Sequence, residues 1–109
     1  RIAAKLKVVE ISNEGELDFS DFASCDVLID AIFGTGLTRK VEGLYESVIK
    51  KMNDTAAYKI AVDVPSGLQI DKASAGTIFR ANFTLTFQLP KLAFLLPENF
   101  QYVGNWQAM

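Results

Sequence analysis

Two stretches of this chain are apolar almost end to end, and a glycine-bearing loop stops each of them. Val27-Leu28-Ile29 and Ala31-Ile32-Phe33 flank Asp30, and Gly34-Thr35-Gly36 follows. Tyr58, Ile60, Ala61, Val62, Asp63 and Val64 make the second stretch, which Pro65-Ser66-Gly67 breaks. A run without apolar/polar alternation predicts a strand buried on both faces. Such strands belong to parallel sheets, whose neighbours are joined by a crossover, usually a helix. The segment between the two runs supplies one. From about Glu42 to Asn53, Leu44, Val48, Ile49 and Met52 recur at helical spacing, with Glu46, Lys50 and Lys51 on the other side. Strand, glycine loop, helix, strand is a βαβ unit with a right-handed crossover.

The flanks extend this pattern. Phe83 to Phe87 alternates aromatic, aliphatic and β-branched residues and predicts a third strand, ended by Pro90. Leu92 to Leu96 is short and apolar, and Tyr102-Val103 before Gly104 is expected to begin a last strand. Upstream, Leu6 to Ile11 reads as a strand preceded by the tail of a helix, and Ser12 to Ser24 as a loop with a short helix near Leu17, Phe19 and Phe22. At 109 residues the chain is at most one domain. Half of it is apolar and 22% charged, which excludes a disordered tail. A net charge of −2 argues against a nucleic-acid partner. With one cysteine, Cys25, no intrachain disulfide forms, and Cys25 reads as a small buried apolar residue at a strand start. The absence of histidine removes histidine catalysis and ligation. No apolar run approaches the ~18–20 residues of a membrane span.

Parallel strands place their carboxyl ends on one edge, where α/β folds bind ligands. Two loops lie there, Gly34-Thr35-Gly36-Leu37-Thr38-Arg39-Lys40 and Pro65-Ser66-Gly67, each beside an aspartate in or ending an apolar strand. A carboxylate in such a strand is costly without a cation, a donor network or a task. Asp30 and Asp63 together on one edge point to a site; singly, either reads as an N-cap or an ion pair with Arg39 or Lys40. The Gly34 loop has the makings of an anion cradle: glycines for close backbone approach, a helix start behind it, and donors from Thr35, Thr38, Arg39 and Lys40. It fits neither standard phosphate-loop spacing, so a tight strand-to-helix turn explains it equally well. Ser66 is a helix cap or an oxygen ligand for a hard cation. Lys91, at the end of the third strand, is expected either in the same crevice or solvated.

The strings Asp30-Ala31-Ile32-Phe33-Gly34-Thr35-Gly36-Leu37, Ala61-Val62-Asp63-Val64-Pro65-Ser66-Gly67-Leu68 and Thr84-Leu85-Thr86-Phe87-Gln88-Leu89-Pro90-Lys91 resemble the YjeF N-terminal domain family, and within it the NAD(P)HX epimerases. The resemblance implies a Rossmann-like three-layer α/β/α sandwich with a mostly parallel sheet. It implies an isomerase of cofactor repair that converts the R epimers of hydrated NADH and NADPH to the S epimers. It further implies a potassium ion held by Asp30 and Ser66, substrate phosphates at Gly34 to Lys40, and a substrate-binding Asp63. Asp63 is the candidate general acid/base. A homodimer, a cytoplasmic location and a following ADP- or ATP-dependent dehydratase domain are implied too. The family's asparagine- and glycine-rich loop has no match in Arg1 to Asp26. The expectation is therefore a C-terminal portion of the domain over residues 1–109, inactive without the upstream part. The competing expectation is a non-catalytic scaffold or dimerisation module of the same family, which would have no need of the Asp30, Asp63 and Ser66 set.

Overall fold

The first apolar run is a strand only as far as its aspartate. In the computed structural model, which describes residues 8–16, 23–34, 40–69 and 76–109, β1 spans Val27–Asp30. Asp30 Oδ1 accepts the Ile32 N–H at 3.2 Å. This side-chain turn offers the backbone an alternative to the ladder, and the strand stops three residues short of Phe33. Helix α1 spans Gly43–Asn53 and buries Ile49 and Met52. Its last turn carries Lys50 and Lys51, placed to offset the negative end of the helix. β2 follows over Tyr58–Val62, and β3 over Phe83–Thr86.

The C-terminal expectation needs correction. Tyr102 and Val103 do not begin a strand. They close a short helix α2, Phe100–Val103, and the strand β4 starts beyond Gly104, at Asn105–Ala108. Helical backbone at this point buries Val103 beside Phe94 and Val64. Gly104 then turns the chain at φ 64°, where a Cβ would stand 2.4 Å from the Asn82 carbonyl oxygen. The Leu92 to Leu96 stretch becomes a 3-10 turn over Leu92–Leu95, and a second one spans Pro97–Asn99. Upstream, residues 8–11 form no strand, and Val8 and Val9 are exposed. A strand exists only where it has a ladder partner, and Val8 to Ile11 meets none among the described residues. A 3-10 turn occupies Glu14–Glu16. The expected helix tail at Ile2 to Leu6 and short helix around Leu17, Phe19 and Phe22 lie outside the described residues.

Among the described residues the sheet has four strands, all parallel, in the order β1-β2-β3-β4. Ile29 stands opposite Ile60, Ile60 opposite Phe83, and Phe83 opposite Asn105. Each step moves the same way across the sheet. A right-handed crossover repeated in one direction always returns over the same face, so the described parts of the connections pack on one side. That side carries two clusters. In one, α1 packs Ile49 and Met52 on Leu28, Ala61 and Phe79. In the other, Phe94 and Val103 pack with Val64, Leu68 and Ile78, and Phe94 meets the Trp106 ring at 5.8 Å. Full burial of Ile49, Phe79 or Phe94 contributes about 1.5–3 kcal/mol each.

The opposite face corrects the expectation of strands buried on both sides. Val27 is 50% exposed, Ile29 58% and Tyr58 49%. The apolar text on that side was therefore not matched by a covering layer among the described residues. The α/β, all-parallel, Rossmann-like class stands; the described residues supply its sheet and one helical layer.

Candidate active site

The carboxyl ends of β1, β2 and β3 meet at one edge, and each ends in a polar residue: Asp30, Asp63 just past Val62, and Thr86. The loops that follow β1 and β2 are tied together there. Asp30 is fully buried. Its Oδ2 accepts the Ser66 N–H at 2.6 Å, and its Oδ1 accepts the Ser66 hydroxyl at 2.5 Å. Ser66 Oγ in turn accepts the Phe33 N–H at 3.0 Å. One carboxylate and one hydroxyl thus fasten Phe33, Ile32 and Ser66 into a single knot under Gly34. The ion pair with Lys40, an alternative reading of Asp30 taken singly, does not form; among the described residues Asp30 is held by hydrogen bonds alone. Burial pushes its carboxyl above the ordinary value, and the Ser66 and Ile32 bonds pull the other way with less effect.

Asp63 lies beyond the end of β2 with φ 71°. Its own N–H donates to the Leu85 carbonyl at 2.7 Å, and the Val64 N–H closes onto the Val62 carbonyl at 2.9 Å. This is a γ-turn of the rare positive-φ kind, and aspartate is among the few side chains that tolerate it. Strain of this sort is kept where surrounding contacts over-determine the backbone, often at functional sites. Oδ1 of Asp63 accepts the Thr86 hydroxyl at 3.1 Å and the Phe87 N–H at 3.2 Å, and Lys91 Nζ stands 3.4 Å away. Its Oδ2 faces the other loop: a Cβ placed on Gly34 would be 3.8 Å from it.

Of the residues singled out in the sequence, Asp30, Ser66, Gly34, Asp63 and Lys91 therefore converge. Lys40 sits against Gly76, at the foot of α1. Thr35, Gly36, Leu37, Thr38 and Arg39 lie outside the described residues. Thr86 was not anticipated; its only sequence signal is a hydroxyl at the end of the third strand. The Phe87 N–H has no signal at all, since every residue but proline carries one.

The model of the YjeF-related protein N-terminus matches residues 1–93. The chain belongs to this family. Among its relatives is the bifunctional NAD(P)H-hydrate repair enzyme Nnr of Thermofilum pendens, 46% identical over 81 residues, which are 73% of this chain and 16% of that protein. The NAD(P)H-hydrate epimerase of Limosilactobacillus fermentum is 42% identical over 81 residues, 73% of this chain and 39% of that one. A bifunctional repair enzyme of Moorella thermoacetica is 36% identical over 102 residues, 91% of this chain and 19% of its own length. The chain thus spans well under half the length of these relatives. Among the described residues no helix is long and apolar enough to cross a membrane.

Proposed function

We propose that this chain is part of an NAD(P)HX epimerase, interconverting the R and S epimers of hydrated NADH and NADPH. One observation carries the reading: Asp30, Ser66 and Asp63 converge at the carboxyl edge of a parallel sheet, in a chain whose relatives include an NAD(P)H-hydrate epimerase. The hydrated nicotinamide ring carries its hydroxyl on a carbon beside the ring nitrogen. Inverting that carbon requires its C–O or its C–N bond to break and re-form. In both routes a proton is exchanged at the hydroxyl oxygen. Asp63 Oδ2, turned toward Gly34, is the group that exchanges it. The loop from Gly34 to Lys40 receives the substrate phosphates.

Asp30 and Ser66 fit a potassium ion. Their donors are all oxygen, the ligand class of hard cations. Asp30 is a buried carboxylate without a cationic side chain beside it among the described residues. Of its about four acceptor sites three are taken, so one stays open. A bound potassium ion supplies the charge that balances Asp30. Ser66 and Asp30 also hold Phe33, and with it the start of the Gly34 loop.

The same reading includes a homodimer in the cytoplasm, fusion to a dehydratase domain, supported by two relatives named as bifunctional repair enzymes, and an upstream part of the domain packed on the open sheet face. Exposed Val27, Ile29 and Tyr58 support that last element. One-way right-handed crossovers leave the face for helices wound in the opposite direction. The test is chromatographic. Full-length protein is mixed with purified R-NADHX in potassium or choline buffer, and S-NADHX is followed. Potassium-dependent conversion, slowed to a small residual rate in Asp63→Asn, is expected. No conversion by the wild type in potassium would favour a binding scaffold and end the epimerase reading.

A further inference from the structure

Lys91 has an unusual set of contacts for a lysine at a strand end. Its ammonium donates to the Phe87 carbonyl at 3.1 Å and to the Leu89 carbonyl at 3.2 Å, and stands 3.4 Å from Asp63 Oδ1. An ammonium has three N–H donors and no acceptor. All three have a partner here, so the group has no donor left for a phosphate. The two carbonyls converge because Gln88, between them, adopts φ 66° and folds the chain back. Both side chains of the pair are mostly shielded, at 19% and 17% exposure, so solvent screens it less than a surface pair. Thr86 and Phe87 hold the same Asp63 oxygen. No described residue bonds Oδ2.

We propose that Lys91 is a positioning residue, which with Thr86 pins Asp63 Oδ1 and leaves Oδ2 alone to face Gly34 and the substrate. The carboxylate would otherwise rotate about its side-chain torsions and present either oxygen. Fixing one oxygen halves the choices and sets the direction of the other. The positive φ at Asp63 makes the backbone end of the side chain equally fixed. This inference rests on the epimerase reading of Asp63, and the test separates the two.

Full-length wild type, Lys91→Met, Lys91→Arg, Asp63→Asn and the Lys91→Met/Asp63→Asn double variant are compared in the NADHX assay. For Lys91→Met, kcat is expected to fall roughly 10- to 100-fold with KM little changed, as a misplacement of about 1 Å at a reacting group costs. Lys91→Arg is expected to recover part of the loss. The double variant is expected to be no slower than Asp63→Asn alone, because residues acting through one group are not additive. A structural role would instead multiply the two losses. Lys91→Met with wild-type kcat, or a multiplicative double variant, overturns the role of Lys91 and leaves the epimerase reading standing. Asp63→Asn with wild-type kcat overturns the role of Lys91 together with the proton-exchanging role of Asp63, whereas a wild type without turnover ends the epimerase reading itself. A crystal structure of Lys91→Met decides independently of turnover. A carboxylate turned away from Thr86 supports the proposal, and one unmoved from its Thr86 and Phe87 bonds refutes it.

Discussion

Replacing Asp30 tests the knot beneath the site. Asp30→Ala removes the acceptor of the Ser66 N–H and of the Ser66 hydroxyl, both in a residue that is itself fully buried. The Ile32 N–H loses its partner as well, in a less buried place. Each buried donor left without a partner costs about 1–3 kcal/mol, so the Ser66 pair alone costs about 2–6 kcal/mol. Removing a carboxylate whose burial opposes its ionisation offsets part of this at neutral pH. The net expectation is a loss of about 2–4 kcal/mol, a large fraction of a typical 5–15 kcal/mol stability. Asp30→Asn should fall between wild type and Asp30→Ala. An amide turned with its oxygen to Ser66 N leaves Ile32 N unpaired; turned the other way, it sets its NH2 against the Ser66 N–H. Urea unfolding followed by circular dichroism, with a common slope for all three proteins, gives the differences. An Asp30→Ala protein as stable as wild type, or an Asp30→Asn protein less stable than Asp30→Ala, would refute the hydrogen-bond accounting.

Three further outcomes are expected. Gly67→Ala should lower the thermal midpoint by several degrees, because φ is 96° and the new Cβ would stand 2.3 Å from the Thr77 carbonyl oxygen; an unchanged midpoint would show that the two loops move apart freely. In potassium-free buffer, the stability of wild type relative to Asp30→Asn should fall as pH rises from 3.8 to the raised folded value. Over that window the native state holds a proton the unfolded chain has lost, so unfolding becomes easier with rising pH; a difference that grows instead would reverse the assigned cause. Ile49→Ala, fully buried between α1 and the sheet, should cost about 2–5 kcal/mol in the same urea assay, and a loss well under 1 kcal/mol would place Ile49 outside the core.

The sequence by itself determined the βαβ unit and its polarity. The apolar runs at Val27 and Tyr58 and the helical spacing from Leu44 to Met52 are local signals, and they give a strand, a helix and a strand in that order, the first strand ending at Asp30. It also placed Asp30, Asp63 and Ser66 on one edge, because parallel strands leave no other arrangement. Only the tertiary structure decided the rest, since the rest depends on pairs distant in the chain. The end of β1 is set by Asp30, which captures the Ile32 N–H two residues on and is itself held in place by Ser66 from the loop after β2. Val103 went into a helix rather than a strand because burial beside Phe94 outweighed its β-branched preference. The open face of Val27, Ile29 and Tyr58 followed from the hand and direction of the crossovers, which apolar content cannot report. The partition of Asp63, one oxygen held by Thr86, Phe87 and Lys91 and the other facing Gly34, required a γ-turn and a folded-back Gln88 that no spacing rule predicts.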